Sequence, residues 1–337
     1  ELIISDFNEL GGGPEEDEEI VYDNFDKIVE LFKKGKLDEE TKNEFIDGCF
    51  EEYYYGNSGF EDLLRDSIFD VCTSRENWLK VIDKLRKSSI DYDRDCIVKI
   101  YKEKLCEDEN YLKERMKNLD SCMDYYDLVD YYYKKGNTEK AVQIAEEGIS
   151  KGRGWKRELI EFLIEHYKKQ NDYSNILKYL MLSFEEEPSL KKYIEMKKFC
   201  KKEDLNRVLK QLYETLKASN QDTKAEIDYF NKNYKEVFTY LKHIVNNYYD
   251  DYKFKAWAQK LEPHFSKEIL KLYKEKAFSL VQTKNAKNYS EAVFYLAGVK
   301  RILIDSKREE EWQKILSLLK KEYIKFPALQ RELKKLE

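Results

Sequence analysis

The stretch "YYDLVDYYYKKGNTEKAVQIAEEGI", residues 125–149, decides how this chain is read. Apolar and aromatic residues recur three and four apart on both sides of a Gly-Asn pair, the pattern of two amphipathic helices joined by a tight turn. Residues 158–184, "ELIEFLIEHYKKQNDYSNILKYLMLSF", repeat it at an offset of 35 residues when Gly136 is laid over Asn171. Tyr125 then meets Ile160, Leu128 meets Leu163, Tyr132 meets Tyr167, Ala141 meets Ile176 and Gly148 meets Ser183, and Pro188 closes the second unit.

A period of about 34 residues built from helix, turn and helix is the tetratricopeptide-like signature, in which each pair has a face it cannot bury alone. Gly136 and Asn171 tolerate the left-handed backbone that ends a first helix. The small residues Ala141, Ala145 and Gly148 let the second helix approach closely. A weaker third copy carries Phe199, Val208 and Leu212 at the same stations, and a late copy carries Ala292, Leu296 and Val299; residues 218–275 align poorly. The fold expected is all-α, an α-solenoid of tetratricopeptide-like hairpins.

Upstream, Ile20, Phe25, Ile28, Val29, Leu31 and Phe32 are expected on one helix face that stops at Gly35, followed by helices near 38–54, 60–72, 74–88, 91–105 and 108–118. Asp38, Ser74 and Asp91 are the expected caps. "ELGGGPEEDEE" has no apolar period, so residues 1–19 read as an acidic linker or disordered segment. The remaining expected parts are an N-terminal helical array over 20–120, the tetratricopeptide-like repeats over 121–217, and helical repeats continuing the solenoid over 218–337.

Composition agrees with long helices: 38% charged and 14% aromatic residues, with only 12 Gly and 4 Pro in 337 residues. The net charge of −6 is uneven, since residues 1–62 hold twenty Asp/Glu against five Lys, a net −15 that leaves +9 on the remainder. No run approaches the roughly 18 apolar residues of a membrane span, and no signal-peptide pattern is present, so a soluble, cytoplasmic protein is expected. The six cysteines Cys49, Cys72, Cys96, Cys106, Cys122 and Cys200 stand singly and read as reduced, mostly buried thiols.

Signals for chemistry are missing. No GxGxxG, GxxxxGK[ST], GxSxG or HExxH occurs, and "GGG" at 11–13 is not between a strand and a helix. His166, His243 and His264 are each solitary, so no metal site and no cofactor is expected. Acid pairs such as Glu185–Glu187 and Glu309–Glu311 read as solvated helix faces, and the tyrosine clusters as packing between helices. The reading is therefore not an enzyme but a scaffold that takes a protein or peptide partner, with no membrane and no small-molecule substrate. In the usual tetratricopeptide register the uncommitted residues of successive first helices face the groove: Tyr126, Asp130, Tyr133 and Lys134 from one unit, Glu161, Glu165 and Lys168 from the next.

From about residue 20 to the end, the chain resembles the helical region of prokaryotic SWIM zinc-finger proteins. The residues that carry the resemblance are "GISKGRGW" at 148–155, "EEEPSL" followed by Tyr193, and the closing "EEEW" and "FPAL" at 309–312 and 326–329. In that family a zinc-binding CxCx(n)CxH motif precedes the array. No CxC occurs here, so zinc and the finger's contacts to DNA are not carried over. With Glu1 in place of Met, the resemblance implies the carboxy-terminal helical part of a longer protein. It also supplies the alternative function, a nucleic-acid-associated module acting with an upstream zinc finger.

Overall fold

The computed structural model describes residues 4, 6, 7, 9, 11 and 13–337, apart from 57, 89, 118, 217, 246, 248 and 249. Among them every regular element is helical, and the one extended feature is an isolated bridge between Ser121 and Arg153. The contacts fall into two units, Glu1–Asn171 and Asp172–Glu337. That division runs between Asn171 and Asp172, inside the 121–217 segment, and does not follow the expected limits at 120 and 217.

In the first unit, α1 spans Glu15–Lys33, α2 Glu39–Tyr55, α3 Glu61–Val71 and α4 Arg75–Leu85. α5, Asp91–Lys99, runs into a π-helical turn at Ile100–Lys104 and is followed by α6, Asp108–Lys117. The acidic run expected to be linker is, from Glu15 onward, the first turn of α1. Pro14 precedes it with φ −64°, suited to a helix start, and Glu15, Glu16, Asp17 and Glu18 lie at the positive end of the helix dipole. The buried stripe of α1 is Val21, Phe25, Val29 and Phe32; Ile20 faces solvent because Val21, four residues before Phe25, takes the core position. Asp38 and Ser74 cap α2 and α4 through the amides of Thr41 and Asn77. Asp91 is the first residue of α5 rather than its cap, a position held by Ile90, and its side chain lies outside the described residues.

α7 (Cys122–Lys134), α8 (Thr138–Lys151) and α9 (Arg157–Gln170) complete this unit. The 125–149 reading holds in detail. Gly136 has φ +80°, and the amides of Gly136 and Asn137 donate to the carbonyls of Tyr133 and Tyr132, the paired bonds that close a helix on a left-handed residue. Asn171 has φ +56°. Ala141 and Ala145 are fully buried, and a Cβ on Gly148 would lie 2.5 Å from Tyr125 Cβ and 2.8 Å from Leu159 Cδ1. Gly148 is thus the point where α7, α8 and α9 meet.

The second unit contains α10 (Tyr173–Glu186), α11 (Leu190–Phe199), α12 (Lys202–Thr215), α13 (Gln221–Phe230), α14 (Tyr234–Ile244), α15 (Asp251–Gln282), α16 (Tyr289–Asp305), α17 (Glu309–Glu322) and α18 (Pro327–Leu333). Val208 and Leu212 are buried as expected, while Phe199 is half-buried and the turn at Cys200–Lys201 is extended, not left-handed. The poorly aligned 218–275 segment contains hairpins too. α13 and α14 meet at Lys232, φ +63°. α15 is two helical arms folded at Phe265, φ −138° and ψ 43°, two residues after Pro263. Ala292, Leu296 and Val299 of the late copy are buried, and Gly298 lies against Tyr273, whose ring carbon would be 2.6 Å from an added Cβ.

Candidate functional site

α7 and α9, the first helices of the two clearest repeats, pack side by side. A reciprocal capping box starts α7: Ser121 Oγ accepts from the Asp124 amide, and the Asp124 carboxylate accepts from the Ser121 amide. The "GRGW" linker between α8 and α9 folds back onto this cap. Cys122 N–H donates to the Arg153 carbonyl at 2.8 Å, and Arg153 N–H donates to the Asp120 carbonyl at 2.9 Å. A Cβ on Gly152 would lie 2.7 Å from the Gly148 carbonyl oxygen, and Gly154 has φ +87°, so the glycines are required by the path of the chain. Trp155 follows, 77% exposed at the end of this pinned loop.

The seven residues expected to face a groove lie on these two helices. Tyr126 and Asp130 are half-buried; Tyr133, Lys134, Glu161, Glu165 and Lys168 are exposed. Their charges are spent mostly within each helix: Lys134 on Asp130 at 2.8 Å, Arg157 on Glu161 at 3.0 Å and Lys168 on Glu165 at 2.7 Å. Asp130 has a second cation, Lys102, at 3.8 Å. Tyr133 reaches from α7 to α9. It meets the Phe162 ring edge-on, centroids 5.5 Å apart at 83°, and its hydroxyl accepts from Lys169 at 2.9 Å. Phe162 stacks in turn with His166, and burial followed by the nearby Lys169 lowers the imidazole's affinity for a proton.

Phe162, His166 and Lys169 are therefore parts of this face that sequence reasoning missed, and Trp155 is exposed on the linker that leads into α9. The available signal was the 35-residue offset itself, which lays Lys169 directly over Lys134.

Beneath the face lies a buried ionic cluster. Arg115, 6% exposed, reaches Asp95 at 2.9 Å, Asp124 at 2.5 Å and Asp127 at 2.9 Å; Asp127 also takes Lys102 at 2.5 Å and the Tyr111 hydroxyl at 3.0 Å. Burial pushes the Asp127 carboxyl upward, but Lys102, Arg115 and Tyr111 outweigh it and hold the group below the usual carboxylate range. This cluster fixes α7 to α5 and α6 and leaves the exposed residues of α7 on a rigid support.

The second unit has a half-open cavity of about 470 Å³ lined by Val245, Leu272, Leu280, Glu275, Lys276, Asp251 and Glu291. Its ionisable groups hold one another. Asp251 accepts from Lys255 at 2.6 Å and from Lys276 and Tyr295 at closer range, which clamps both arms of α15 to α16. Burial and the neighbouring Asp251 push the Glu291 carboxyl up. With Asp251 engaged by three donors, the arrangement acts as a clasp.

Among the described residues no three His, Cys, Asp or Glu side chains converge as metal ligands, and no helix is long and apolar enough to cross a membrane. His264 stacks on Tyr234 with centroids 3.6 Å apart. Cys49, Cys72, Cys96 and Cys122 are buried thiols, Cys200 is half-buried and Cys106 is exposed. Burial pushes Cys72 up to about 12 and Cys96 up to about 11.

No family model and no curated protein matches the chain. Among solved structures it is similar to one described as a circular tandem repeat protein with novel repeat topology and enhanced subunit contact surfaces. Identity is 15%, over 95% of this chain and 79% of that one, with a TM-score of 0.17, too low for the likeness to bear on function.

Proposed function

We propose that the chain is a non-enzymatic scaffold that binds a protein or peptide partner across the α7/α9 face, as the helical-repeat part of a SWIM zinc-finger-like protein. The observation that carries the reading is Tyr133. It is 43% exposed, yet held by the Phe162 edge and the Lys169 ammonium, and so it offers large contact area at little further cost in side-chain order. Trp155, presented on a linker tied by two backbone hydrogen bonds, is a second aromatic anchor of the kind that concentrates binding energy in interfaces.

The test is affinity capture with the wild-type chain and with the triple variant Tyr133→Ala, Lys134→Ala, Lys168→Ala, at matched helicity by circular dichroism. A partner recovered by the wild type and lost with the variant supports the assignment; a partner retained at wild-type yield by the variant refutes it.

A further inference from the structure

The end of α11 and the turn after it carry positive charge that is mostly not ion-paired. Residues 190–202 hold six lysines, Lys191, Lys192, Lys197, Lys198, Lys201 and Lys202, against the single acid Glu195. Lys197 and Lys198 lie in the last turn of α11, where the helix dipole favours a cation. Lys201 and Lys202 are placed the opposite way: they are the cap and first residue of α12, at its positive end. Such placement is unfavourable, so helix stability does not account for them.

Of the six, Lys192 alone among the described residues is ion-paired. Lys192 pairs with Glu187 at 3.1 Å, and Arg207 takes Asp204 at 2.8 Å. Among the described residues, Lys197, Lys198, Lys201, Lys202 and Lys232 have no carboxylate within 4.0 Å, and all five are exposed.

Two of the lysines lie over aromatic faces. Lys201 Nζ is 4.3 Å above the Tyr173 ring, which stacks on Phe199 at 5.3 Å. Lys197 Nζ is 5.0 Å above Phe230, which is 40% exposed, and donates to Asn231 Oδ1 at 3.3 Å. Asn231 in turn donates to the Tyr193 hydroxyl at 2.8 Å, tying the α13–α14 turn, with Lys232, to α11. Five cations and an exposed ring thus share two adjoining turns.

We propose that this face of the second unit binds single-stranded nucleic acid, its lysines neutralising backbone phosphates and Phe230 taking an unpaired base. Charge complementarity selects a polyanion, and a ring at the level of the cations meets a base face only where the strand is unpaired. Lysines in place of arginine forks meet backbone phosphates as point charges, and stacking on a ring accepts any base, so binding is sequence-tolerant. Its residues are different from those of the α7/α9 face, and it stands or falls independently of that reading.

The test is fluorescence anisotropy of the full chain with a labelled oligothymidylate of about 20 nucleotides. Five neutralised phosphates give a slope of log affinity on log salt near −3.5, hence a roughly 100-fold loss between 50 and 200 mM salt. The quadruple variant Lys197→Glu, Lys198→Glu, Lys201→Glu, Lys202→Glu is expected to abolish binding with helicity unchanged. Phe230→Ala is expected to weaken binding at least about fivefold at an unchanged slope. Binding retained by the quadruple variant, no binding by the wild type at 50 mM salt, or equal affinity for a 20-base-pair duplex or a polyglutamate peptide would each overturn the proposal.

Discussion

Replacing Gly148 by alanine tests the packing argument where it is sharpest. In an isolated helix the change is favourable by about 1 kcal/mol, because alanine restricts the unfolded chain and shields the backbone. Here the new methyl would lie 2.5 Å from Tyr125 Cβ, 2.7 Å from Tyr125 Cγ and 2.8 Å from Leu159 Cδ1, against the ~3.5–4.0 Å at which carbon atoms rest. Tyr125 Cβ is fixed to its backbone and no rotamer moves it, so α7 and α8 must separate by about 1 Å. Tyr125 and Leu159 are 4% and 1% exposed, so neither has room to retreat. Overpacking of this kind costs about 1–3 kcal/mol, and three simultaneous contacts place it at the upper end. Setting about 3 kcal/mol of strain against 1 kcal/mol of propensity leaves a net loss of about 2 kcal/mol. Urea unfolding followed by circular dichroism reads this as a lower midpoint at an unchanged slope, and hydrogen exchange places the loosened amides in α7–α9. A midpoint at or above that of the wild type would show that propensity decides, and the close approach at Gly148 would then not be what joins the three helices.

Three further outcomes follow from the same structure. Lys232 occupies φ +63° with a side chain that makes this conformation costly, so Lys232→Gly is expected to stabilise the chain by about 0.5–1 kcal/mol, read as a higher urea midpoint; a lower one would refute the turn assignment. Arg115→Met leaves Asp95, Asp124 and Asp127 facing an apolar side chain, and breaking such a buried cluster is expected to cost about 3 kcal/mol or more. The same cluster sets an acid response. Asp127 has its folded value held below the unfolded one, so its contribution is complete above about pH 5, declines below the unfolded carboxylate value of ~3.9, and is gone once pH passes under the folded value. Asp127→Asn should therefore flatten the stability profile between about pH 5 and 2, and an unaltered profile would show that this carboxylate does not contribute.

What was legible from residues alone depended on whether each turn used a residue chemically suited to it. Gly136 and Asn171 adopt left-handed backbone at low cost, so the first two hairpins stood out, and the caps at Asp38 and Ser74 bonded as their side chains allow. Lys232 and Lys307 adopt the same conformation, at φ +63° and +57°, but lysine carries no such signal. The fold in α15 had a signal in Pro263, but the break itself falls two residues later at Phe265, whose side chain carries none. The seven proposed contact residues could be placed on α7 and α9 from the repeat offset, whereas the contact of Tyr133 with Phe162 and Lys169 joins positions 29 and 36 apart and exists only when the helices are stacked.

The sequence by itself determined the all-α class and the hairpin unit, because apolar period, turn residues and small packing residues are local properties of the chain. Only the tertiary structure decided which acidic residues begin a helix, which glycines are pressed against a neighbour, and which lysines remain unpaired. Those are matters of distance between segments, and a one-dimensional pattern does not contain them.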